Sequence, residues 1–515
     1  MKRNTSVTRS RGPAAARPVN PTAAFVALLL ALAVPRLLRL LYPQLWIEDE
    51  WYINGAFMMS HGLLPYRDFP LPHLPALELT MAGLFWLAPA TIRTAELATA
   101  CAAFAGSLLV FLLGRSLIDR PSGAAAAILF ATSSLLFRYH VFEREVFVVV
   151  PVVAAVWLAT SPAHPARPTR VAVSVGALLA AALTVKLTAV AALLGVALQL
   201  VVQGRRRCAA MVICTALGLI LAASLALSLM FGADFIVQVF LFRAMHATFP
   251  SLSVKLDEMR LTTDIAFALG VAGVVLIAWT RESRRLAPLL LQLGCGFVFL
   301  VLVNPTYWAH TGIELLPWLS LSGGFLVAAT ARSVTRTKAL VCGGLAGLLL
   351  LFVSPLRNLN WQAGDGSRYG FGYRDRSEIE GTALYVRAHS QSSDVVATPP
   401  IIAFQANRRE LIPYPEIAGV VERMTASVRE RGYIATLGDA GLRYGSFWDS
   451  VEASRVRVAA RIATAVEQRV PAVIIDDTDD DLMPARFVDL TADRLRANGY
   501  RLESVSTHYE VWLRH

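Results

Sequence analysis

The sequence has 515 residues, of which 55% are hydrophobic and only 17% are charged. Charged residues make up about a quarter of an ordinary soluble domain, so this composition excludes a soluble globular protein and predicts an integral membrane protein. The net charge of +11 does not indicate nucleic-acid binding, because the lysines and arginines lie in short clusters between apolar runs, the usual pattern of membrane topology. The five cysteines form no CxxC pair and have no histidine at metal-ligand spacing, so neither a disulfide framework nor a zinc site is predicted.

The apolar runs predict an α-helical polytopic membrane protein. Crossing the hydrocarbon takes about 20 apolar residues, and only a helix satisfies its own backbone there. Residues 1–22 form a basic N-terminus, and the first run, 23–41, contains Arg36 and Arg39 and lacks a small-residue cleavage site, so we expect an uncleaved span. Further candidate spans cover residues 94–114, 122–138, 146–160, 171–185, 187–203, 208–230, 264–280, 286–303, 312–330 and 338–354. Together with the first, they give about eleven spans.

The arginine clusters predict the orientation of the chain. With a cytoplasmic N-terminus, every loop expected inside is basic, whereas the opposite orientation would place all of these clusters outside, against the positive-inside bias. The clusters are Arg115 with Arg120, Arg167 with Arg170, Arg205–Arg207, Arg281 with Arg284 and Arg285, and Arg332 with Arg336 and Lys338. We therefore expect a multi-pass protein of the plasma (inner) membrane whose C-terminus lies outside.

Two large external loops follow from this topology, at 42–93 and at about 231–263. The segment 74–89 within the first loop is apolar, but it is short and interrupted by Glu78. It is therefore predicted to be an interfacial helix rather than a span. The predicted membrane domain covers residues 23–354.

From residue 355 to residue 515, charges, glycines and turn residues are spread throughout, and no apolar run is long enough to cross a bilayer. The segments SDVVATP and PAVIID are predicted to be short buried strands, and VEASRVRVAARIATAVEQR is predicted to be a helix before the second of them. RLESVSTHYEVWLR is typical of a terminal hairpin. A small external α/β domain is expected.

The densest polar group in the membrane half is WIEDEWYINGAFMMSHGLLPYRDFPLPHLP, with Glu48, Asp49 and Glu50 at the outer end of the first span. These acids are equally consistent with an ordinary solvated loop, since acidic residues outside contribute little to topology. The order of Asp49-Glu50, Tyr52, Gly62 and the PYRDF segment resembles the first loop of GT-C glycosyltransferases. The closest resemblance is to bacterial relatives of protein O-mannosyltransferases and lipid A aminoarabinose transferases. Arg67 and Asp68 of PYRDF are expected to pair and fix a turn.

Three later segments continue the resemblance in chain order. FRYHVFEREVF lies at the external turn where this superfamily has a second acidic residue, which matches Glu145 or, alternatively, Glu143. LTVKLTAV, with Lys186, resembles the family's Lys-containing motif, and YWAHTGIELLPWL, with His310, resembles its late His-Tyr/Pro segment, although Thr311 stands where Tyr is common.

The resemblance implies transfer of a sugar from a polyprenyl-phosphate donor to a glycan, lipid or protein acceptor at the outer face. Asp49 would act as general base with inversion at the anomeric carbon, Glu50 would complete the acidic pair, and Glu145 would be the second catalytic acid. The leaving phosphate needs positive charge, for which Lys186, Arg243 and Arg260 are candidates. Snorkelling of Lys186 to the interface is the structural alternative. Glu143, His246 and His310 are candidate substrate-binding residues, and an interfacial structural role is equally open for His310.

No cofactor or metal is expected to be essential, because a monophosphate leaving group has no diphosphate to chelate, but a divalent metal is not excluded. The acidic run Asp476–Asp481 fails the EF-hand pattern, since Leu482 and Val488 stand where Gly and Glu are required, and it is expected to be a solvated loop. The alternative functions are a transporter or flippase, a ligase that uses a diphosphate-linked glycan, and a noncatalytic scaffold. A transporter predicts two similar halves with interrupted helices, and the sequence has no such repeat.

Overall fold

The computed structural model describes residues 21–515 except 42–43, 47–49, 140, 161–167, 243–251, 253–254, 256–263, 284, 305–308, 334–372, 413–420, 422–423, 431–459, 478–490 and 506–508. Every predicted span up to 312–330 coincides with helical structure, and the last, 338–354, lies outside the described residues. The observed architecture, a mostly helical chain with a small C-terminal sheet, agrees with the predicted helical protein with a C-terminal α/β domain.

The membrane domain is built from helices, and all but the first contribute residues to one large apolar core. They are α1 (Pro21–Leu40), α4 (Ile92–Leu117), α5 (Arg120–Ala131), α6 (Ser134–Arg138), α7 (Arg144–Thr160), α8 (Pro168–Val185), α9 (Val190–Val202), α10 (Arg206–Phe231), α12 (Ile265–Trp279), α13 (Ala287–Phe297) and α14 (Gly312–Ser333). The first external loop adds α2 (Glu50–Ser60) and α3 (Ala76–Leu87), and α10 is followed by the short α11 (Ala233–Ile236). Within the described part, four helices are long and apolar enough to cross a membrane: Ile92–Leu117, Pro168–Val185, Arg206–Phe231 and Gly312–Arg332.

The predicted span 122–138 is not one helix, because α5 ends before Thr132 and α6 begins at Ser134. The two arginines inside α1 donate to backbone carbonyls at the C-terminal ends of α5 and α6. Arg36 donates to the Ala131 carbonyl and, at 2.9 Å, to that of Leu136, while Arg39 Nε donates at 2.6 Å to the Phe137 carbonyl. Unpaired backbone groups are costly in a membrane, so these arginines have a structural reason to be buried within the first span.

The C-terminal part contains a five-stranded mixed sheet in the order β4-β3-β5-β7-β6. Its strands are β3 (Val395–Ala397), β4 (Arg409–Glu410), β5 (Val473–Asp477), β6 (Tyr500–Val505) and β7 (Tyr509–Arg514), and its helices include α15 (Arg376–Ala388), α16 (Pro400–Ala406) and α17 (Ala492–Ala497). The first three strands are parallel and the last two form the predicted antiparallel hairpin. Residues 460–467 of the predicted helix before β5 are helical, and residues 451–459 lie outside the described part.

The segment between α1 and α4, predicted to be the first external loop, packs directly on this C-terminal domain. Strand β1 (Gln44–Trp46) pairs antiparallel with β2 (Tyr373–Asp375), which immediately precedes α15. One hydrophobic cluster joins Ile53 and Phe57 of α2 to Ile402 and Phe404 of α16. Asn54 Nδ2 donates to Glu410 Oε2 at 2.6 Å in a buried contact. Both β1 and α2 therefore contact the C-terminal domain.

Candidate active site

Glu143 and Glu145 are buried at the turn before α7, each with 1% of its surface exposed. Phe142 adopts a positive φ of 59° there, and its N–H donates to the Thr99 hydroxyl at 2.8 Å, which holds the turn against α4. Because α7 begins at Arg144, both carboxylates lie at the positive end of a helix, where the aligned peptide dipoles stabilise negative charge. Sequence reasoning left Glu143 and Glu145 as alternatives, and the structure brings both into the same cluster.

Lys186 joins this cluster from the junction between α8 and the short 3-10 turn Leu187–Ala189. Its ammonium contacts Glu145 Oε1 and lies 3.7 Å from Glu314 Oε1, with 19% of the side chain exposed. The lysine therefore lies between two carboxylates of two different helices. Its predicted role in phosphate binding stays a prediction, and the observed contacts indicate that it neutralises and orients these acids.

His310 approaches the same carboxylate from the turn before α14. Its Nε2 lies 3.5 Å from Glu145 Oε1, and the Tyr139 ring meets the imidazole edge-on at 5.6 Å between centroids. Glu143, Glu145 and His310 each offer a ligand atom, and these atoms lie within 4.8 Å of one another. Two carboxylates and an imidazole suit a divalent cation chemically, although the Lys186 ammonium already compensates Glu145.

Glu314 belongs to the cluster but was not predicted from the sequence. It lies in the first turn of α14, inside an apolar segment, and accepts a hydrogen bond from the Thr188 hydroxyl at 2.6 Å. The available signal was an acid in a predicted span, since an ionisable residue within the membrane is a functional candidate by default.

A second buried polar group adjoins the cluster through Arg144. Its guanidinium lies over the Tyr52 ring, 4.1 Å from the centroid, and thus connects the turn before α7 to the beginning of α2. Glu78 of α3 is fully buried and its Oε1 lies 2.6 Å from His73 Nε2. Burial raises the pKa of the Glu78 carboxyl, but the charges of His73 and Arg144 outweigh burial and hold it below the ordinary value. In the sequence, Glu78 was noted only as an interruption of an apolar segment.

The pairing predicted for Arg67 and Asp68 is confirmed. Arg67 Nε donates to Asp68 Oδ1 at 2.9 Å, and Asp68 Oδ2 accepts the Leu64 N–H at 2.8 Å, which closes the turn. The hydrogen bond from Arg67 also lowers the pKa of the Asp68 carboxyl. This pair therefore has a structural role on the loop.

The side chains of several predicted site residues lie outside the described part of the structure. Asp49, Arg243, His246 and Arg260 lie outside the described residues, and Glu50 is described only as the first residue of α2. The acidic run 476–481 begins at the end of β5, and its residues from 478 onward also lie outside the described part. The cluster of Glu143, Glu145, Lys186 and His310 is the predicted set that the structure brings together.

Comparison with known proteins shows similarity of fold. The sequence matches no protein-family model and no curated protein. The crystal structure of ArnT from Cupriavidus metallidurans bound to undecaprenyl phosphate is similar with a TM-score of 0.56 and 13% identity, covering 96% of this chain and 98% of ArnT. The oligosaccharyltransferase AglB from Archaeoglobus fulgidus, in complex with an inhibitory peptide and a dolichol-phosphate, has a TM-score of 0.51 and 12% identity, covering 95% of this chain and 74% of AglB. The same enzyme in complex with Zn and sulfate has a TM-score of 0.52 and 13% identity, covering 95% and 73%. The resemblance to GT-C glycosyltransferases is thus confirmed at the level of the fold.

Proposed function

We propose that this protein is a membrane glycosyltransferase that moves a sugar from a polyprenyl-phosphate donor to an acceptor at the outer face of the membrane. The observation that carries the proposal is the buried cluster of Glu143, Glu145, Lys186 and His310, whose neighbour Arg144 lies over the ring of Tyr52 in α2. Buried acids and a lysine are costly in a membrane domain, and they are usually retained there for function. The structurally similar ArnT was crystallised with undecaprenyl phosphate, which is consistent with a lipid-linked donor.

In the proposed reaction, Asp49 accepts the proton of the acceptor hydroxyl or amine as that atom attacks the anomeric carbon. The bond from this carbon to the phosphate oxygen breaks with its electron pair, so that polyprenyl phosphate leaves and the configuration inverts. Glu50 completes the acidic pair, and Arg243 and Arg260 stabilise the leaving phosphate. Arg144 over the Tyr52 ring supports this assignment, because Tyr52 follows Asp49 by three residues and Arg144 lies between the two buried glutamates.

His310 and Glu143 would contact the transferred sugar or the acceptor, with His246 contributing from the second external loop. Glu145 would act as the second catalytic acid, oriented by the Lys186 ammonium. The residues also suit a divalent cation at Glu143, Glu145 and His310, which would supply positive charge to the donor phosphate when bound. No step of the proposed reaction depends on that ion.

The direct test uses purified protein in lipid, a panel of radiolabelled polyprenyl-phosphate sugars, and membrane extract as the acceptor source. Asp49→Asn is expected to reduce transfer by about 10²- to 10⁴-fold, the usual contribution of a general base. Asp493→Asn is the matched control, because that carboxylate is 93% exposed in the C-terminal domain and lies on α17. Undiminished transfer by the Asp49 variant would remove Asp49 as the base.

A second experiment tests the orientation that the reaction requires. In a background from which the native cysteines have been removed, Asp493→Cys is expected to react with a membrane-impermeant thiol reagent added to intact cells. Labelling only after lysis would place the C-terminal domain inside and contradict an outer-face reaction.

A further inference from the structure

Glu314 differs from the other acids of the cluster because it also borders a cavity between the membrane helices. Its carboxylate accepts a hydrogen bond from the Thr188 hydroxyl at 2.6 Å and lies 3.7 Å from Lys186 Nζ, and the residue also lines a small cavity. That cavity lies between α7, α9, α13 and α14, and most of its wall is apolar, including Val149 and Trp318.

Gln292 is the other polar residue of the cavity wall. Its side chain is 1% exposed, and within the described part of the chain neither Oε1 nor Nε2 has a hydrogen-bond partner. Gly195 packs against the amide so closely that an added Cβ would lie 2.6 Å from Gln292 Oε1. The side chain is thus held against α9 in the wall that it shares with Glu314. Leaving both amide atoms unpaired in a buried site is costly, so a bound partner is expected.

The volume of the cavity indicates what kind of molecule it can hold. Its volume is about 20 Å³, and about 10–15 Å³ suffices for one water while a sugar needs far more. A buried water also needs two to four polar partners, and the cavity lining contains the amide of Gln292 and the carboxylate of Glu314.

We propose that one buried water bridges Gln292 and Glu314, and that Glu314, hydrated in this way, is a positioning residue that fixes Lys186 against Glu145. This inference rests on the proposed function. Without Glu314, the Lys186 ammonium has one fewer carboxylate to hold it, and the catalytic geometry at Glu145 is less well defined. A misplacement of about 1 Å in such a site can cost about a hundredfold in rate.

The test combines Glu314→Gln with Lys186→Met in a double-mutant cycle of the transfer reaction. Glu314→Gln alone is expected to lower kcat about tenfold with little change in KM, because the interaction acts through the catalytic geometry and not through ground-state binding. In the Lys186→Met background the same substitution is expected to change kcat by less than about twofold, because its effect passes through the lysine. A general structural defect would instead lower the rate equally in both backgrounds, and that result would overturn the positioning role.

The water is tested separately. Gln292→Leu is expected to lower kcat about threefold to tenfold, consistent with losing one polar partner of the site. Gln199→Leu is the matched control and should leave transfer unchanged. Gln199 is also 1% exposed and has no hydrogen-bond partner within the described residues, but it does not line the cavity. High-resolution density between Gln292 and Glu314 is expected to contain one water, and an empty cavity would overturn the bridge. If Glu314→Gln fails to fold, Thr188→Val in the same cycle tests the role by removing the hydroxyl that orients the carboxylate.

These outcomes separate the inference from the proposed function. If the unmodified protein transfers no sugar from any donor, the proposed function fails. If the unmodified protein is active and Glu314→Gln retains full kcat, the function stands and the positioning role of Glu314 is wrong.

Discussion

Arg376 of α15 and Glu96 of α4 form an ion pair that joins the C-terminal domain to the membrane domain. The guanidinium contacts the carboxylate with both terminal nitrogens, at 2.7 and 2.5 Å, and the two side chains are 4% and 0% exposed. Arg93 lies 3.6 Å from the same carboxylate, but its side chain is half exposed. The substitution Arg376→Met keeps much of the volume while it removes the bidentate partner of the buried carboxylate.

The expected cost of Arg376→Met follows from the burial of the charge that remains. Removing one partner of a buried pair destabilises a protein by about 3–5 kcal/mol, because the other charge stays desolvated. Because Arg93 offers partial compensation, we expect the lower end of this range. The double substitution Arg376→Met with Glu96→Met removes both charges and is expected to recover most of the loss, since replacing a buried pair by packed apolar residues is often nearly neutral.

The assay is limited proteolysis of the C-terminal domain in detergent at low protease concentration, where the cleavage rate follows the population of the opened form. A loss of 3 kcal/mol corresponds to an increase of about a hundredfold in that rate. Arg494→Met is the control, because Arg494 pairs with Glu467 at 2.8 Å in an exposed position and such a pair contributes about 0–1 kcal/mol. If Arg376→Met is cleaved no faster than the control, or if the double variant is as unstable as the single one, the burial argument is wrong.

Two further predictions concern helix packing and pH. Gly273→Ala is expected to lower the yield of folded protein measured by size-exclusion chromatography, because the new Cβ would lie 2.0 Å from the Ser322 carbonyl oxygen. Gly218→Ala is the control and should have no effect, because a Cβ at that position would have no atom within 4 Å. The depressed pKa of Glu78 predicts stability that is present above the carboxyl's ordinary pKa of 4.5 and is lost as the pH falls through the lower folded pKa. The loss of stability between about pH 5 and 3, measured by thermal unfolding, should therefore be smaller for Glu78→Gln than for the unmodified protein. An equal dependence of stability on pH in the two proteins would contradict the pairing with His73.

The positions of the membrane helices could be predicted from the sequence because hydropathy is a local property. The segment 208–230, for example, is apolar throughout and forms most of α10. Breaks in a helix depend on partners that are distant in sequence. The interruption between α5 and α6 is stabilised by Arg36 from α1, about a hundred residues earlier, and no local signal within 122–138 indicated it.

For the candidate site as well, the sequence determined some features and the tertiary structure determined others. Motif order and the side of the membrane were enough to select Glu145, Lys186 and His310, because each lies at an external end of a predicted span. The sequence did not determine that Lys186 contacts Glu145, nor that Glu314 and Glu78 have charged or imidazole partners. These contacts join side chains from separate helices and loops, and only the packing of those elements brings their charges within a few ångströms of one another.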